Sequence, residues 1–295
     1  MLENLRRKSL AKTYHDPIHQ VHFESGLAKY DSSTEIDVCT PRIAKKSKKR
    51  SFSREIDIIS SKFFSFFELM MIACPSGSFT MGHEDQDDNK PRTVIIERPF
   101  LLGETEITQE LYEKVMNTNP SRFKNPQNPV ERVSWQDAIL FCNELSRLQG
   151  LDECYFRRLD SGWSCDSSKN DYRLPEEKEW EYAAKAGTQN RWVGTDDPNK
   201  IGEYAWFGEN STVNNEWQTH TVKKKKPNEW GFYDMSGNVE EWCEDKYKLD
   251  ASEHSVRGGS WDCYPPHLRS AYRSCIWPGN REHDLGFRVA RSIVN

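Results

Sequence analysis

The stretch that decides how this chain is read is RGGSWDCYPPHLRSAYRSCIWPGNREHDLGFRVAR, residues 257–291. Its two ends, RGGSW and GFRVAR, read as fixed scaffold. Gly258 and Gly259 permit backbone geometry or a close approach that a Cβ would obstruct. The middle mixes acidic, thiol, aromatic, imidazole and proline side chains without visible order. Cys263 is therefore either a reactive thiol or one of several interchangeable contacts on a binding face.

Upstream of this stretch, almost no periodic segment follows Gly187. Turn residues and spaced aromatics fill the interval instead. Earlier segments are clearer. LMMIACPSGSFTMG (69–82) predicts two short strands around a turn at Pro75–Gly77, and RTVIIERPFLLGETEIT (92–108) is extended and β-branched. TQELYEKVMN predicts a helix with Thr108 as N-cap. SWQDAILFCNELSRLQG (134–150) predicts another, with Ser134 and Asp137 imitating a capping box and Gly150 as terminator. LPEEKEWEYAAKAG (174–187) predicts a third, with Pro175 in its first turn and Gly187 at its end.

The chain has 295 residues, enough for one or two domains with a real core, yet only 36% are hydrophobic. Mean hydropathy is −0.86. Ten Trp, eleven Tyr and fourteen Phe compensate, since each aromatic buries a large area. Aromatics plugging long loops argue against a doubly wound sheet, whose strands need near-continuous apolar runs. The expected class is α+β with few regular elements and long ordered loops.

The net charge of −5 conceals an asymmetry. Residues 1–65 form a basic arm, expected to be flexible, and the domain from 66 to 295 is acidic. AKKSKKRSFSR (44–54) concentrates the positive charge, but nothing interleaves it with aromatics in the manner of a nucleic-acid module. The expectation is a solvated linker, and no nucleic-acid binding by the main domain. His15, His19 and His22 lie close in sequence, but Pro17 opposes one helix face for the first two. KKKK (223–226) before Pro227 reads as an exposed strand end.

FFSFFELMMIAC (63–74) is too short and too interrupted to span a bilayer, so no membrane span is expected. No secretory signal follows Met1, so the chain as given is expected to be cytoplasmic; a true start near Met70 would leave room for a leader upstream. Eight cysteines show neither C-x-x-C nor zinc-type spacing. Cys154 and Cys165 flank a loop and can pair, but nothing in the sequence requires it, and a reduced interior is expected.

Seven blocks in order carry a resemblance: GSFTMG (77–82), ETEITQELYEKVM (104–116), NPVERVSWQDAILFCNELS (128–146), YRLPEEKEWEYAAKAGT (172–188), NEWGFYDMSGNVEEW (228–242), RGGSW (257–261) and GFRVAR (286–291). Together they resemble the formylglycine-generating enzyme (sulfatase-modifying factor) family, whose fold is a variant of the C-type lectin fold. The resemblance covers about residues 66–295. It implies a calcium site at GNVEEW, where Asn238 and Glu241 offer hard oxygen donors. Without an ion, the same turn has an Asn capping its own backbone and a Glu paired with Arg.

In the oxidase members, the tail motif pairs two cysteines that hold copper(I), a soft ion suited to sulfur. Ser260, Cys263 and Arg269 fall on matching positions here, and would be the catalytic residues of an oxidase reading. The second cysteine's position is Leu268, which cannot ligate copper or supply a thiolate. Cys275 would have to reach across a loop to substitute. Ser260, His254 and Asp284 make a hydrolytic trio only on paper. Iron-dependent ergothioneine-type relatives need a helical bundle that the polar first 60 or so residues do not provide.

Between GGSW and LGFR stand Asp262, Cys263, Tyr264, Pro265, His267, Tyr272, Ser274, Cys275, Ile276 and Gly279. Each is encodable by a triplet ending in a pyrimidine and reachable from an Asn codon by changing adenines alone; Trp277 and Glu282 are not. This pattern resembles the C-terminal variable region of proteins diversified by diversity-generating retroelements, which use the same lectin-like fold. The resemblance implies a ligand-binding face through Asp262, Cys263, Tyr264, His267, Tyr272, Ser274, Ile276 and Trp277, against a protein surface or a glycan. The alternatives are drift in a tolerant loop, a non-diversified accessory domain, or the oxidase. Tyr and Trp supply rigid amphipathic contact area at modest entropy cost, as in antibody loops.

Overall fold

The computed structural model describes residues 69–84, 89–158 and 162–293. The basic arm, its histidines and its lysine run lie outside the described residues. The described residues open with two short strands, β1 (Met71–Cys74) and β2 (Gly77–Met81), then β3 (Arg92–Ile96) and β4 (Phe100–Gly103); β1 pairs antiparallel with β4 and β2 with β3. Helices α1 (Gln109–Met116) and α2 (Trp135–Leu148) follow, then the hairpin β5 (Tyr155–Arg158) and β6 (Gly162–Cys165), β7 (Tyr172–Arg173) and α3 (Glu177–Lys185). Beyond them come a short α4 (Ile201–Tyr204), β8 (Thr212–Val213), β9 (Glu216–Trp217), β10 (Glu240–Lys246), β11 (His254–Arg257), β12 (Arg273–Ile276), β13 (Leu285–Gly286) and β14 (Ala290–Ser292).

Two four-stranded sheets organise the chain, in orders β1-β4-β14-β7 and β12-β11-β10-β13. In the second sheet β13 runs parallel to β10 and the other pairs are antiparallel. The stretch 257–291 thus leaves the sheet at the end of β11, returns to its edge as β12, and closes through β13. Both ends are held by strand pairing while the interval between them is mostly loop.

Local chemistry explains the helices. Thr108 caps α1 by accepting from the Leu111 amide at 3.3 Å. Ser134 Oγ accepts from the Asp137 amide at 3.1 Å while Asp137 accepts from the Ser134 amide at 2.8 Å, a reciprocal capping box for α2. α3 begins later than its sequence pattern predicts. Pro175 precedes the N-cap, Glu176, whose amide donates to Glu179 Oε2 at 2.9 Å. The helix stops where Ala186 and Gly187 turn left-handed, at φ 47° and 80°.

The region after Gly187 holds more regular structure than its sequence shows. β10 reads EEWCEDK, so its charged residues mask a strand that buries Trp242 and Cys243 completely. KKKK is no strand end either. It is a turn pinned by Lys223 to Glu104 (2.7 Å), by Lys225 to the Gly202 carbonyl (2.6 Å) and by Lys226 to Glu203.

Aromatics bind the loops as their abundance suggested. Trp242 donates to the Val133 carbonyl at 2.9 Å and Trp135 to the Cys243 carbonyl at 3.1 Å, which ties α2's entry to β10. One apolar cluster surrounds α1, α2 and Trp242, a second surrounds Trp180, and a small third holds Trp192, Ile201, Ala205, Phe207 and Leu268. Among the described residues no helix is long and apolar enough to cross a membrane.

Candidate functional site

Two buried arginines fix the ends of the segment. Arg257, at the end of β11, donates to Glu177, Glu181 and the Ser270 carbonyl, and its guanidinium stacks over Trp180. Arg288 forms a bidentate pair with Glu241 at 2.6 and 2.7 Å and reaches the Gly103 and Tyr233 carbonyls. All five charged residues of these pairs are at least nine-tenths buried, so their hydrogen bonds offset a desolvation cost that unpaired charges could not bear.

Between the anchors the backbone folds tightly. At Gly259, φ is 66°, and a Cβ there would stand 2.8 Å from the His267 carbonyl and 3.0 Å from Leu268. A side chain would therefore lift the 265–268 turn off the scaffold. Trp261 is buried: its amide donates to the Asn238 carbonyl at 2.9 Å and its indole to the His283 carbonyl at 3.3 Å. The loop then turns outward.

The side chains expected to contact a ligand divide into two patches. Asp262, Tyr264 and His267 are exposed on the loop after Trp261, and Trp277 is exposed just past β12. Tyr264 and Trp277 show 57% and 56% of their surface, so both rings are free to meet a partner rather than plug the core. Tyr272, Ser274 and Ile276 are half-buried, and Ile276 also packs on the main core. The His267 and Tyr272 rings meet at 4.9 Å and join the two patches. Residues the sequence could not nominate hold the loop from below. Trp192 donates to the Pro265 carbonyl at 2.7 Å, and the Gly208 amide donates to the Cys263 carbonyl at 2.9 Å. No local motif marks either one, because their role exists only through tertiary contact.

Cys263 is half-buried, with Sγ 3.4 Å from Ser260 Oγ, which in turn donates to Asp284 at 3.3 Å. Two of the expected oxidase residues are therefore in contact, while Arg269 follows the 265–268 turn and bridges by its backbone to Trp192. His254 is turned to the Glu244 carbonyl and stacks on Trp135 at 4.0 Å, so the trio with Ser260 and Asp284 is not assembled. Burial pushes the Cys263 thiol up, against a smaller opposing pull from Ser260, and nearby Glu240 and Asp284 push the same way as burial. Leu268 is fully buried in the cluster against which Cys263 packs. One protonated thiol beside a leucine does not fit copper(I). Cys275 lies on β12 opposite Ser255.

The calcium expectation named Asn238 and Glu241, and their side chains are otherwise engaged. Asn238 Oδ1 accepts from the His220 amide at 2.9 Å, and Nδ2 donates to Glu106 and the His220 carbonyl. Glu241 holds Arg288 and also accepts from Trp180 at 2.7 Å. Glu241 therefore pairs with an Arg, whereas the Asn238 amide reaches the His220 backbone rather than its own turn. Among the described residues no three His, Cys, Asp or Glu side chains are grouped to hold a metal. The turn nevertheless has an acid surplus. Glu106 is pushed well up by burial and by Asp234 and Glu241, and burial lifts Asp234 to about 6. Asp234 Oδ1 is buried without a partner. An ion that took this oxygen together with backbone carbonyls would suit the charge of the turn.

The fold and these anchors define a class. Residues 68–293 match the sulfatase-modifying factor enzyme 1-like domain, and the chain belongs to that family, with its C-type-lectin-like fold. Treponema denticola variable protein 1 superposes with a TM-score of 0.69 at 36% identity, covering 76% of this chain and 95% of that one. The chaperone protein LppX of Paenibacillus barcinonensis is 33% identical over 65% of this chain and 80% of its own length. The formylglycine-generating enzyme of Bos taurus is 24% identical over 75% of this chain and 74% of its own.

Proposed function

We propose that the chain is a ligand-binding protein that displays residues 262–284 as an exchangeable surface, diversified by a retroelement. The observation that carries this is the contrast in burial along one segment. Arg257, Gly258, Ser260, Trp261, Leu285 and Arg288 are buried, while Asp262, Tyr264, His267 and Trp277 between them are exposed. Substitution at the exposed positions disturbs few internal contacts, so recognition can change without refolding. The similarity to a variable protein and the adenine-reachable residue pattern support the same reading. Aromatic and polar tips on a rigid frame suit a protein surface as partner; a glycan is the second choice.

A structural calcium ion is part of this proposal, at the 234–241 turn with Asp234 Oδ1 as its side-chain ligand. A non-diversified accessory domain is the second reading, in keeping with a relative named as a chaperone. The oxidase is the third, and rests on the contact between Ser260 and Cys263.

Sequencing of the DNA flanking the gene tests the primary reading. A near-duplicate of the 262–284 coding segment, differing at adenines and adjacent to a reverse transcriptase gene, is expected. A locus without such a duplicate returns the segment to a fixed accessory or catalytic role.

A further inference from the structure

A second chemical feature lies away from this face, at the base of the β5–β6 hairpin. Cys154 immediately precedes β5 and is fully buried; Cys165 ends β6 and is half-buried. Their sulfur atoms stand 3.0 Å apart. Two sulfurs that merely pack keep a wider separation, and a disulfide bond needs about 2.04 Å. The backbone already brings the residues together: Tyr155 is in register with Cys165, and the Asp166 amide donates to the Cys154 carbonyl at 3.0 Å. Closure requires only a small side-chain adjustment.

A carboxylate accompanies the thiols. Asp171 is completely buried, and neither of its oxygens has a nitrogen or oxygen donor. The Cys154 thiol interacts with it and opposes the effect of burial, which lifts the Asp171 carboxyl to about 6. The neighbouring Cys165, burial and Asp171 push the Cys154 thiol up, so Cys165, the more exposed of the pair, is the one that meets an external oxidant first. Cys142 is also close enough to feel Cys165, but it is sealed inside α2's apolar face.

We propose that Cys154 and Cys165 are a redox-modification site that closes to an intramolecular disulfide. The oxidant is a small disulfide of the oxidised-glutathione class. The half-buried Cys165 attacks it as thiolate, forming a mixed disulfide and releasing one thiol. The Cys154 thiol then attacks Cys165 Sγ, loses its proton as the S–S bond forms, and expels the second thiolate, which takes that proton up. Two protein thiols lose two electrons and two protons, and one external disulfide becomes two thiols.

The bond would lock a hairpin that is already tied to the core. Tyr155 donates from its hydroxyl to Glu244 at 2.6 Å and accepts from the Leu174 amide at 2.9 Å. Phe156 is exposed on the same hairpin, and with Trp163 and Leu140 it lines an open groove against α2. Oxidation fixes the shape of that groove and reduction loosens it, independently of the 262–284 face.

The test uses the full chain, incubated with oxidised glutathione and then denatured without reductant. Of the eight cysteine thiols, two should be lost, the intact mass should fall by two hydrogens, and a peptide map should link 154 to 165. The unfolding midpoint should rise by about 5 °C or more and return with dithiothreitol. Cys165→Ser should abolish the mass change and the midpoint shift, while Cys142→Ser should keep the mass change. Retention of all thiols, a stable glutathione adduct, or a bond to any other cysteine would overturn the proposal. Because the wild-type map alone decides it, a poorly folding variant leaves the test intact.

Discussion

Cys263 and Leu268 meet in one small apolar cluster with Trp192 and Phe207, the leucine fully buried and the cysteine half-covered. At the position where an oxidase of this family would carry its second thiol, this chain has a core side chain. That relationship turns an absent ligand into a structural role. Leu268→Ala should destabilise the domain by about 2–4 kcal/mol, the range for a buried leucine that leaves a cavity. Urea unfolding measures it; a loss below about 1 kcal/mol would show that the cluster does not hold the loop.

Glycine matters at one place in this loop and not at another. At Gly259 an added Cβ would meet the His267 carbonyl at 2.8 Å in left-handed backbone, whereas at Gly279 it would meet nothing within 4 Å. Gly259→Ala should cost about 2 kcal/mol or more, and Gly279→Ala about 0.5 kcal/mol or less. Paired thermal unfolding of the two variants checks the contrast, and equal effects would contradict the described path of the turn.

Glu240 gives the domain a pH slope of known sign. Burial and then Asp284 raise its carboxyl from 4.5 to about 8 in the folded state. The folded protein therefore binds a proton that the unfolded chain has released, and stability falls as pH rises from about 4.5 to 8. Glu131 and Glu244, both raised to about 7, add to the same trend. Glu240→Gln should flatten the slope without removing it. A wild type whose unfolding midpoint rises steadily from pH 5 to pH 8 would contradict this sign.

The proposed calcium ion would leave a defined signature at the 234–241 turn. Added Ca²⁺ should raise the unfolding midpoint of the wild type, since it would relieve repulsion among Glu106, Asp234 and Glu241 around Arg288. Asp234→Asn should remove most of the response. No shift at millimolar Ca²⁺ would mean that the Glu241–Arg288 pair supports this turn alone.

Much of the scaffold was legible in the sequence because its determinants are local. The capping box at Ser134 and Asp137, the N-cap at Thr108 and the paired glycines at 258 and 259 all declare themselves within a few residues. β10 was not legible, because its burial comes from β11 and β13 on either side rather than from an alternating pattern of its own. The site shows the same division. The exposed tips of Asp262, Tyr264 and His267 could be named from residue type, but Trp192 and Gly208 touch the loop from far along the chain. Asn238 and Glu241 were recognisable as oxygen donors in a turn, and only the fold shows that His220, Trp180 and Arg288 occupy them. Asp234, the residue with an unpartnered oxygen, lies in the same block and carried no distinguishing signal.

The central claim is that this tail binds rather than oxidises, and aldehyde formation tests it most directly. The protein is supplied with copper(I), oxygen and a cysteine-bearing sulfatase peptide, beside an active formylglycine-generating relative as control. The peptide should leave unchanged while the control converts it. Formylglycine produced by this chain, and lost on Cys263→Ser, would contradict the claim.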